Sequence, residues 1–239
     1  MKFFKKQQNV EVDDPRALTI PKTDGTPGLT IPGNVIDSLR YVITRAGKKE
    51  PFPTCLSVVS SLRGEGVTTI SQALGAIIAH DLMARVCVVD LNWWWPSESA
   101  LYPKDRPGLA EVALGAVAIK DVITATGWPN LSWVPAGEMP QQNRPVVARN
   151  PVLKSVISDL KQLFDYIILD VPAISATNDA IHLAALGDAC CLVVRHGVTN
   201  VEDVRAALDE VEHLKVIGVI MNRFKMATPP ALARLVLSR

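Results

Sequence analysis

The chain has 239 residues, of which 48% are hydrophobic, so it is long enough to bury a large core in one domain. Its 25 basic and 24 acidic residues nearly cancel, which excludes a strong overall field toward nucleic acid or an anionic membrane. A run of about 18 uncharged apolar residues does not occur, and the N-terminus lacks the apolar segment of a secretion signal. We therefore expect a cytoplasmic protein without a transmembrane segment and without a nucleic-acid partner.

The two ends of the chain differ in composition from its middle. Residues 1–30 mix charges with prolines and glycines and show no sustained period, which predicts a flexible leader. An alternative interpretation places Phe3 and Phe4, which lie among lysines, against a membrane surface or a partner. Residues 226–239 contain two consecutive prolines followed by an apolar face, which predicts a short C-terminal helix.

Helix-like and strand-like segments alternate through residues 31–225, which we interpret as one α/β domain. Apolar residues at helical spacing predict helices at 34–46, 68–83, 152–164, 179–186 and 201–213. Short apolar runs predict strands at 55–60, 86–91, 132–134, 166–170, 189–195 and 216–221. Continuous apolar strands separated by helices indicate a doubly wound, mostly parallel sheet, with its ligand site beyond the carboxyl ends of the strands.

The turn after the first of these strands, residues 61–69, has the register of a Walker A phosphate loop. Gly64 and Gly66 would allow successive backbone N–H groups to curl around phosphate oxygens at the start of a helix. Thr68 stands where a hydroxyl would ligate Mg²⁺, and Thr69 stands where a second hydroxyl would reach a phosphate. The segment therefore predicts a site for ATP or ADP with Mg²⁺, the alternative being an ordinary glycine-containing turn.

Val67 occupies the position of the Walker A lysine, which neutralises the β- and γ-phosphates. Loss of a preorganised charge of this kind typically lowers the rate of phosphoryl transfer by roughly 10²- to 10³-fold. Arg63 is close by in the loop and is the alternative source of positive charge. The sequence therefore predicts a phosphate site whose catalytic power is reduced unless Arg63 replaces the lysine.

Three consecutive tryptophans, Trp93 to Trp95, follow the second strand. Neither helical nor strand spacing buries all three, so at least one is expected to face outward. They would form either an apolar lid over the sheet edge or an aromatic contact for a partner subunit.

Several motifs, spread over roughly residues 31–224, resemble the bacterial tyrosine kinases (BY-kinases) of capsule and exopolysaccharide synthesis, within the MinD/ParA-like class of P-loop NTPases. The segment Gly64-Glu65-Gly66 before the hydroxyl pair is similar to their Walker A loop. The strand ending at Asp90 is similar to their second acidic motif, with Asn92 in place of an aspartate, and the segment 165–172 is similar to their Walker B strand.

The resemblance implies roles for particular residues. Asp90 and Asp170 are the candidate catalytic residues, and together with Thr68 they are the candidate Mg²⁺ ligands. Asn222 matches a residue that contacts the base. The nucleotide would then be bound by Arg63, Gly64, Glu65, Gly66, Val67, Thr68, Thr69 and Asn222.

Departures from the family pattern bear on activity. The C-terminus has no tyrosine cluster, and the first helix keeps only Arg40 of three residues that the family uses for ring assembly. With Val67 and Asn92, these departures favour a non-catalytic or weakly active regulator of an exopolysaccharide synthesis or export machine.

Two other functions are alternatives. One is an active tyrosine kinase or ATPase in which Arg63 or a neighbouring subunit supplies the missing charge. The other is a MinD/ParA-like scaffold or positioning protein. We expect a homo- or hetero-oligomer, a membrane polysaccharide co-polymerase as a partner, and a location at the inner face of the membrane.

Overall fold

A computed structural model describes residues 14–48, 50–96 and 106–224. The strands in these ranges are β1 Leu18–Pro21, β2 Pro27–Ile31, β3 Cys55–Ser60, β4 Val86–Asp90, β5 Thr124–Ala125, β6 Leu131–Val134, β7 Tyr166–Asp170, β8 Ala189–Arg195 and β9 Val216–Asn222. The helices are α1 Gly33–Ala46, α2 Val67–Leu82, α3 Leu109–Ala113, α4 Ile119–Val122, α5 Arg144–Ala148, α6 Pro151–Leu163, α7 Asp179–Ala184 and α8 Val201–Glu210.

Seven of the strands form one sheet in the order β5-β6-β4-β7-β3-β8-β9. All neighbouring pairs are parallel except β5 with β6. Two hydrophobic cores lie on opposite faces of this sheet, one formed with α1 and α2 and the other with α3 to α8. The predicted doubly wound α/β fold is therefore confirmed.

The central strands are predicted well because they are apolar on both faces. Every residue of β3 and β4 is buried, as a strand between two helical layers requires. The short elements β5, α3, α4 and α5 are not predicted, because two to five residues are too few to display a period. Within the described ranges, we find no helix with the length and apolarity that crossing a membrane requires.

Residues 18–31 form a β-hairpin, which corrects the prediction of a flexible leader for this part of the chain. Leu18 pairs with Ile31 and Thr19 with Thr30 in antiparallel register. Ile20 and Ile31 are buried in the core on the face of α1 and α2. Buried isoleucines thus outweigh the proline- and glycine-rich composition on which the prediction was based.

Two remaining predictions for the ends of the chain fall outside the described residues. Residues 1–13 hold the rest of the predicted leader, including the basic aromatic segment, and residues 225–239 hold the predicted C-terminal helix.

Replacing Ile20 with alanine should lower the free energy of unfolding by about 2–5 kcal/mol, because it removes buried methylene groups and leaves a cavity. Urea denaturation followed by circular dichroism measures this change. Thr19→Ala, on the exposed side of the same strand, is the control and should lower the free energy by less than about 1 kcal/mol, because it removes only the exposed hydrogen bond between the hydroxyls of Thr19 and Thr30. Equal unfolding free energies for Ile20→Ala and the unaltered chain would show that the hairpin is not part of the cooperative fold.

Candidate functional site

A cleft of about 210 Å³ lies at the carboxyl ends of β3, β4 and β7, where the fold places ligands. Its walls come from the loop after β3, the loop after β4 and the segment that follows β7. The predicted site residues that line the cleft are Arg63, Gly64, Gly66, Val67, Thr68 and Asp170. The structure therefore brings most of the predicted phosphate loop and the end of the Walker B strand together.

The phosphate loop owes its shape to two glycines in left-handed backbone conformations. Gly64 has φ of 79° and Gly66 has φ of 99°, a region that other residues adopt only at a cost. A side chain at Gly66 would also overlap the amide of Asn222. Because α2 begins directly afterwards at Val67, its free N–H groups and positive dipole end face the cleft, which suits a phosphate.

Glu65 holds this loop from behind. Its carboxylate is 1% exposed and accepts hydrogen bonds from the backbone N–H of Leu62 at 2.7 Å, from the backbone N–H of Arg195 at 3.3 Å, and from the hydroxyl of Thr199. The side chain thus ties the loop to the end of β8 and turns away from the cleft. Glu65 can therefore contact a nucleotide only through its backbone.

Asn222 and Thr69 also lie outside the cleft. The side-chain amide of Asn222 donates to the carbonyl oxygen of Glu65 at 2.7 Å, and its Oδ1 accepts from the N–H of Arg223 at 2.8 Å. Asn222 thereby joins β9 to the phosphate loop. Thr69 is exposed in the first turn of α2. The predicted nucleotide contacts of these two residues remain predictions.

The two predicted acidic residues meet at the centre of the sheet. Asp90 and Asp170 end neighbouring strands in register and are 6% and 3% exposed. Oδ1 of Asp90 accepts from the N–H of Asn92 at 2.8 Å, whereas Oδ1 of Asp170 has no hydrogen-bond partner among the described residues. Burial, followed by the charge of Asp90, raises the pKa of Asp170 well above its ordinary value of 3.8, against a smaller lowering by a hydrogen bond with Thr68.

This arrangement fits Mg²⁺. A cation would compensate the buried charges, and the unpartnered oxygen of Asp170 supplies a ligand atom. Thr68, Asp90 and Asp170 are the residues that would hold it. The described part of the chain contains no group of three or more histidine, cysteine or carboxylate side chains placed to bind a metal. A Mg²⁺ ion here would therefore rely on phosphate and water for its remaining ligands.

Positive charge is scarce in the cleft. Val67 lines it at the position of the missing lysine, and among the described residues of the lining only Arg63 is basic. The guanidinium carbon of Arg63 lies 3.7 Å from the centre of the Trp95 ring. The phosphate loop is therefore preserved in shape while its charge is reduced.

Asn92, which the sequence places in the second acidic motif without assigning it a ligand, lines the cleft, and so does Trp95, which the sequence did not assign to the site. As the spacing predicts, the three tryptophans are not all buried: Trp93 is buried, whereas Trp94 and Trp95 are half-buried. Trp93 donates its indole N–H to the carbonyl oxygen of Ala136 at 2.8 Å. The sequence position of Asn92 and Trp95 could have indicated their place in the site, because both follow a strand whose carboxyl end faces the cleft.

The sequence is similar to bacterial tyrosine kinases. It is 28% identical over 191 residues to the tyrosine-protein kinase CpsD of Streptococcus agalactiae, covering 78% of this chain and 81% of that one. It is 27% identical to the succinoglycan biosynthesis transport protein ExoP of Rhizobium meliloti, covering 72% of this chain and 22% of ExoP. No family model matches the sequence.

Solved structures show the same fold. The kinase domain of the Escherichia coli tyrosine kinase ETK superposes with a TM-score of 0.68 at 19% identity, covering 81% of this chain and 77% of that one. The cell division ATPase MinD of Pyrococcus furiosus superposes with a TM-score of 0.61 at 25% identity, covering 78% and 80%. The resemblance to bacterial tyrosine kinases and the MinD/ParA-like P-loop fold are both confirmed.

The substitution Asp170→Asn should stabilise the nucleotide-free chain at neutral pH. The pKa of Asp170 is higher in the folded state, so the folded chain binds the carboxyl proton more tightly than the unfolded chain does. The free energy of unfolding therefore falls as the pH rises from 3.8 through the raised pKa. The melting temperature of Asp170→Asn in Mg²⁺-free buffer should therefore exceed that of the unaltered chain at about pH 7, and the difference should shrink toward about pH 4.

Asp165→Asn is the control with the opposite sign. Hydrogen bonds from Arg85 lower the pKa of Asp165 to about 2, so this carboxylate stabilises the fold above pH 3.8 and the contribution is lost as pH falls through about 2. Its replacement should lower the melting temperature at neutral pH. A lower melting temperature for Asp170→Asn under the same conditions would contradict the account of the acidic pair.

Proposed function

Starting from its homology to the bacterial tyrosine kinases of capsule and exopolysaccharide synthesis, we propose that this chain binds ADP or ATP with Mg²⁺ but transfers phosphate weakly or not at all. It acts as a regulator of a polysaccharide synthesis or export machine, through contacts with other proteins. One observation carries the proposal, namely a cleft lined by the phosphate-loop glycines, Thr68 and Asp170, in which Val67 stands at the position of the lysine.

Nucleotide binding is supported by what the cleft retains. The left-handed glycines and the N-terminus of α2 form an anion site whose shape does not depend on a lysine. Thr68 and Asp170 lie beside it and would place Mg²⁺ between the protein and the phosphates. Bound Mg²⁺ would neutralise phosphate charge and polarise the transferring group.

Weak catalysis is supported by what the cleft lacks. Charge accumulates on the transferring phosphoryl oxygens, and fixed positive groups stabilise it. Val67 contributes none, and the guanidinium of Arg63, an exposed residue, lies against the ring of Trp95. Binding tolerates this loss better than turnover does, because the backbone donors and Mg²⁺ serve the ground state as well.

An active kinase or ATPase is the second candidate, and the presence of Arg63 in the lining of the cleft favours it. A MinD/ParA-like scaffold rests on the fold alone.

The similarity to part of a protein named for succinoglycan biosynthesis and transport supports a membrane polysaccharide machine as the partner. An oligomer at the inner face of the membrane would suit such a role.

Replacing Val67 with lysine should restore charge to the cleft and strengthen the binding of Mg-ATP by about 10- to 100-fold, because a charge-assisted contact to phosphate is gained. ATP turnover should rise from a very low level by roughly 10²- to 10³-fold. Isothermal titration calorimetry measures the affinity, and a coupled phosphate-release or autophosphorylation assay measures the turnover.

Val67→Met is the matched control, since it lengthens the side chain without adding charge, and it should change neither quantity appreciably. Turnover in the unaltered chain that already equals that of Val67→Lys would contradict the proposal of weak catalysis. Absence of Mg-ADP and Mg-ATP binding in the unaltered chain would contradict the proposal of a nucleotide site.

A further inference from the structure

We propose that Trp95 is a positioning residue that holds Arg63 over the phosphate loop, so that Arg63 contributes to binding the nucleotide phosphates although the Walker A lysine is missing. The inference rests on the proposed function, because it concerns how the same cleft binds the phosphates of a nucleotide. Trp95 belongs to the loop after β4, and Arg63 to the loop after β3, so two separate segments build this unit.

The geometry of the pair leaves the arginine free to bind an anion. The guanidinium carbon lies 3.7 Å from the centre of the Trp95 ring, which is the distance of a cation–π contact. Such a contact occupies the face of the guanidinium, while its N–H donors point outward in the plane of the group. In the described part of the chain, Arg63 forms no ion pair with a carboxylate.

Two hydrogen bonds fix the place of Trp95. The N–H of Asn92 donates to Oδ1 of Asp90 at 2.8 Å, and the N–H of Trp95 donates to Oδ1 of Asn92 at 3.1 Å. An asparagine side chain readily makes such a turn with the backbone that follows it. Asn92, which stands in place of the family's aspartate, thus fixes the backbone position of Trp95.

The neighbouring tryptophans anchor the same loop. Trp93 is 1% exposed and donates to the carbonyl oxygen of Ala136, so it fastens the loop to the core. The ring of Trp94 lies 6.1 Å from that of Trp93 and 6.0 Å from the guanidinium carbon of Arg144, and it does not line the cleft. Of the three, Trp95 is the one that enters the cleft.

Positioning of this kind matters because a free arginine samples many rotamers. An exposed Arg63 would lose much of that freedom on binding a phosphate, and the ring reduces the loss in advance. The pair therefore supplies a preorganised positive group without a lysine at position 67. The contact of Trp95 with Arg63 thus partly compensates for the valine at position 67.

A double-mutant cycle tests the proposal, with the affinity for Mg-ADP measured by calorimetry. Arg63→Ala should weaken binding by about 10- to 100-fold. Trp95→Leu, which keeps apolar bulk without an aromatic face, should weaken it by about 2- to 30-fold. The double variant should bind no more weakly than Arg63→Ala alone, because Trp95 acts through Arg63.

Two controls separate positioning from other roles. Trp95→Phe retains an aromatic face and should bind Mg-ADP nearly as well as the unaltered chain. Magnesium pyrophosphate is the second probe, because it has no base. Trp95→Leu should weaken the binding of pyrophosphate by the same factor as that of Mg-ADP.

The outcomes are distinct. Additive losses in the double variant, or a loss for Mg-ADP that pyrophosphate does not share, would overturn the inference, the latter by showing that Trp95 stacks on the base. An affinity unchanged by Arg63→Ala would also overturn it while leaving the proposed function intact. If the unaltered chain binds neither probe, the proposed function fails and this inference fails with it.

Discussion

The parallel register of β4 and β7 brings two carboxylates, Asp90 and Asp170, together at one buried point. Burial at the ends of two apolar strands removes most of the surrounding water, so the folded state disfavours the charge that these groups carry at neutral pH. A protein that keeps such a pair loses stability unless a cation or a proton accompanies it. The pair is thus a physical reason to expect a bound Mg²⁺ ion, independent of any comparison with other proteins.

The phosphate loop beside this pair is held in shape by contacts behind it. Glu65 ties it to the end of β8, and Asn222 ties it to β9 while closing the space next to Gly66. None of these contacts uses the missing lysine. The loop can therefore keep its form after its charge has changed, which separates binding a nucleotide from transferring its phosphate.

Sequence reasoning predicted the parts of the fold that depend on local pattern. The buried strands, the helices α1, α2 and α6, and the position of the phosphate loop follow from apolar periodicity and glycine placement. The hairpin at residues 18–31 was missed because its two buried isoleucines lie in a segment rich in turn residues. Its stability comes from distant helices, which composition does not reveal.

The site was predicted in outline, and its details depend on tertiary contacts. The phosphate loop was assigned from its register and Asp170 from the family resemblance. Of these residues, the ones that line the cleft are Arg63, Gly64, Gly66, Val67, Thr68 and Asp170. The inward turn of the Glu65 carboxylate and the approach of Trp95 to Arg63 join segments far apart in sequence. No local pattern specifies which of three tryptophans reaches the cleft, because the choice is made by the hydrogen bonds of Asn92 and Trp93.

The most direct measurement of the central claim is a calorimetric titration of the unaltered chain with Mg-ADP and Mg-ATP, with nucleotide turnover followed in the same sample. We expect saturable binding of both nucleotides, accompanied by turnover that is absent or very slow. Robust tyrosine autophosphorylation that Asp170→Asn abolishes would contradict the account by showing a working kinase. A complete absence of binding would contradict the proposed nucleotide site, and would indicate that the loop serves protein contacts alone.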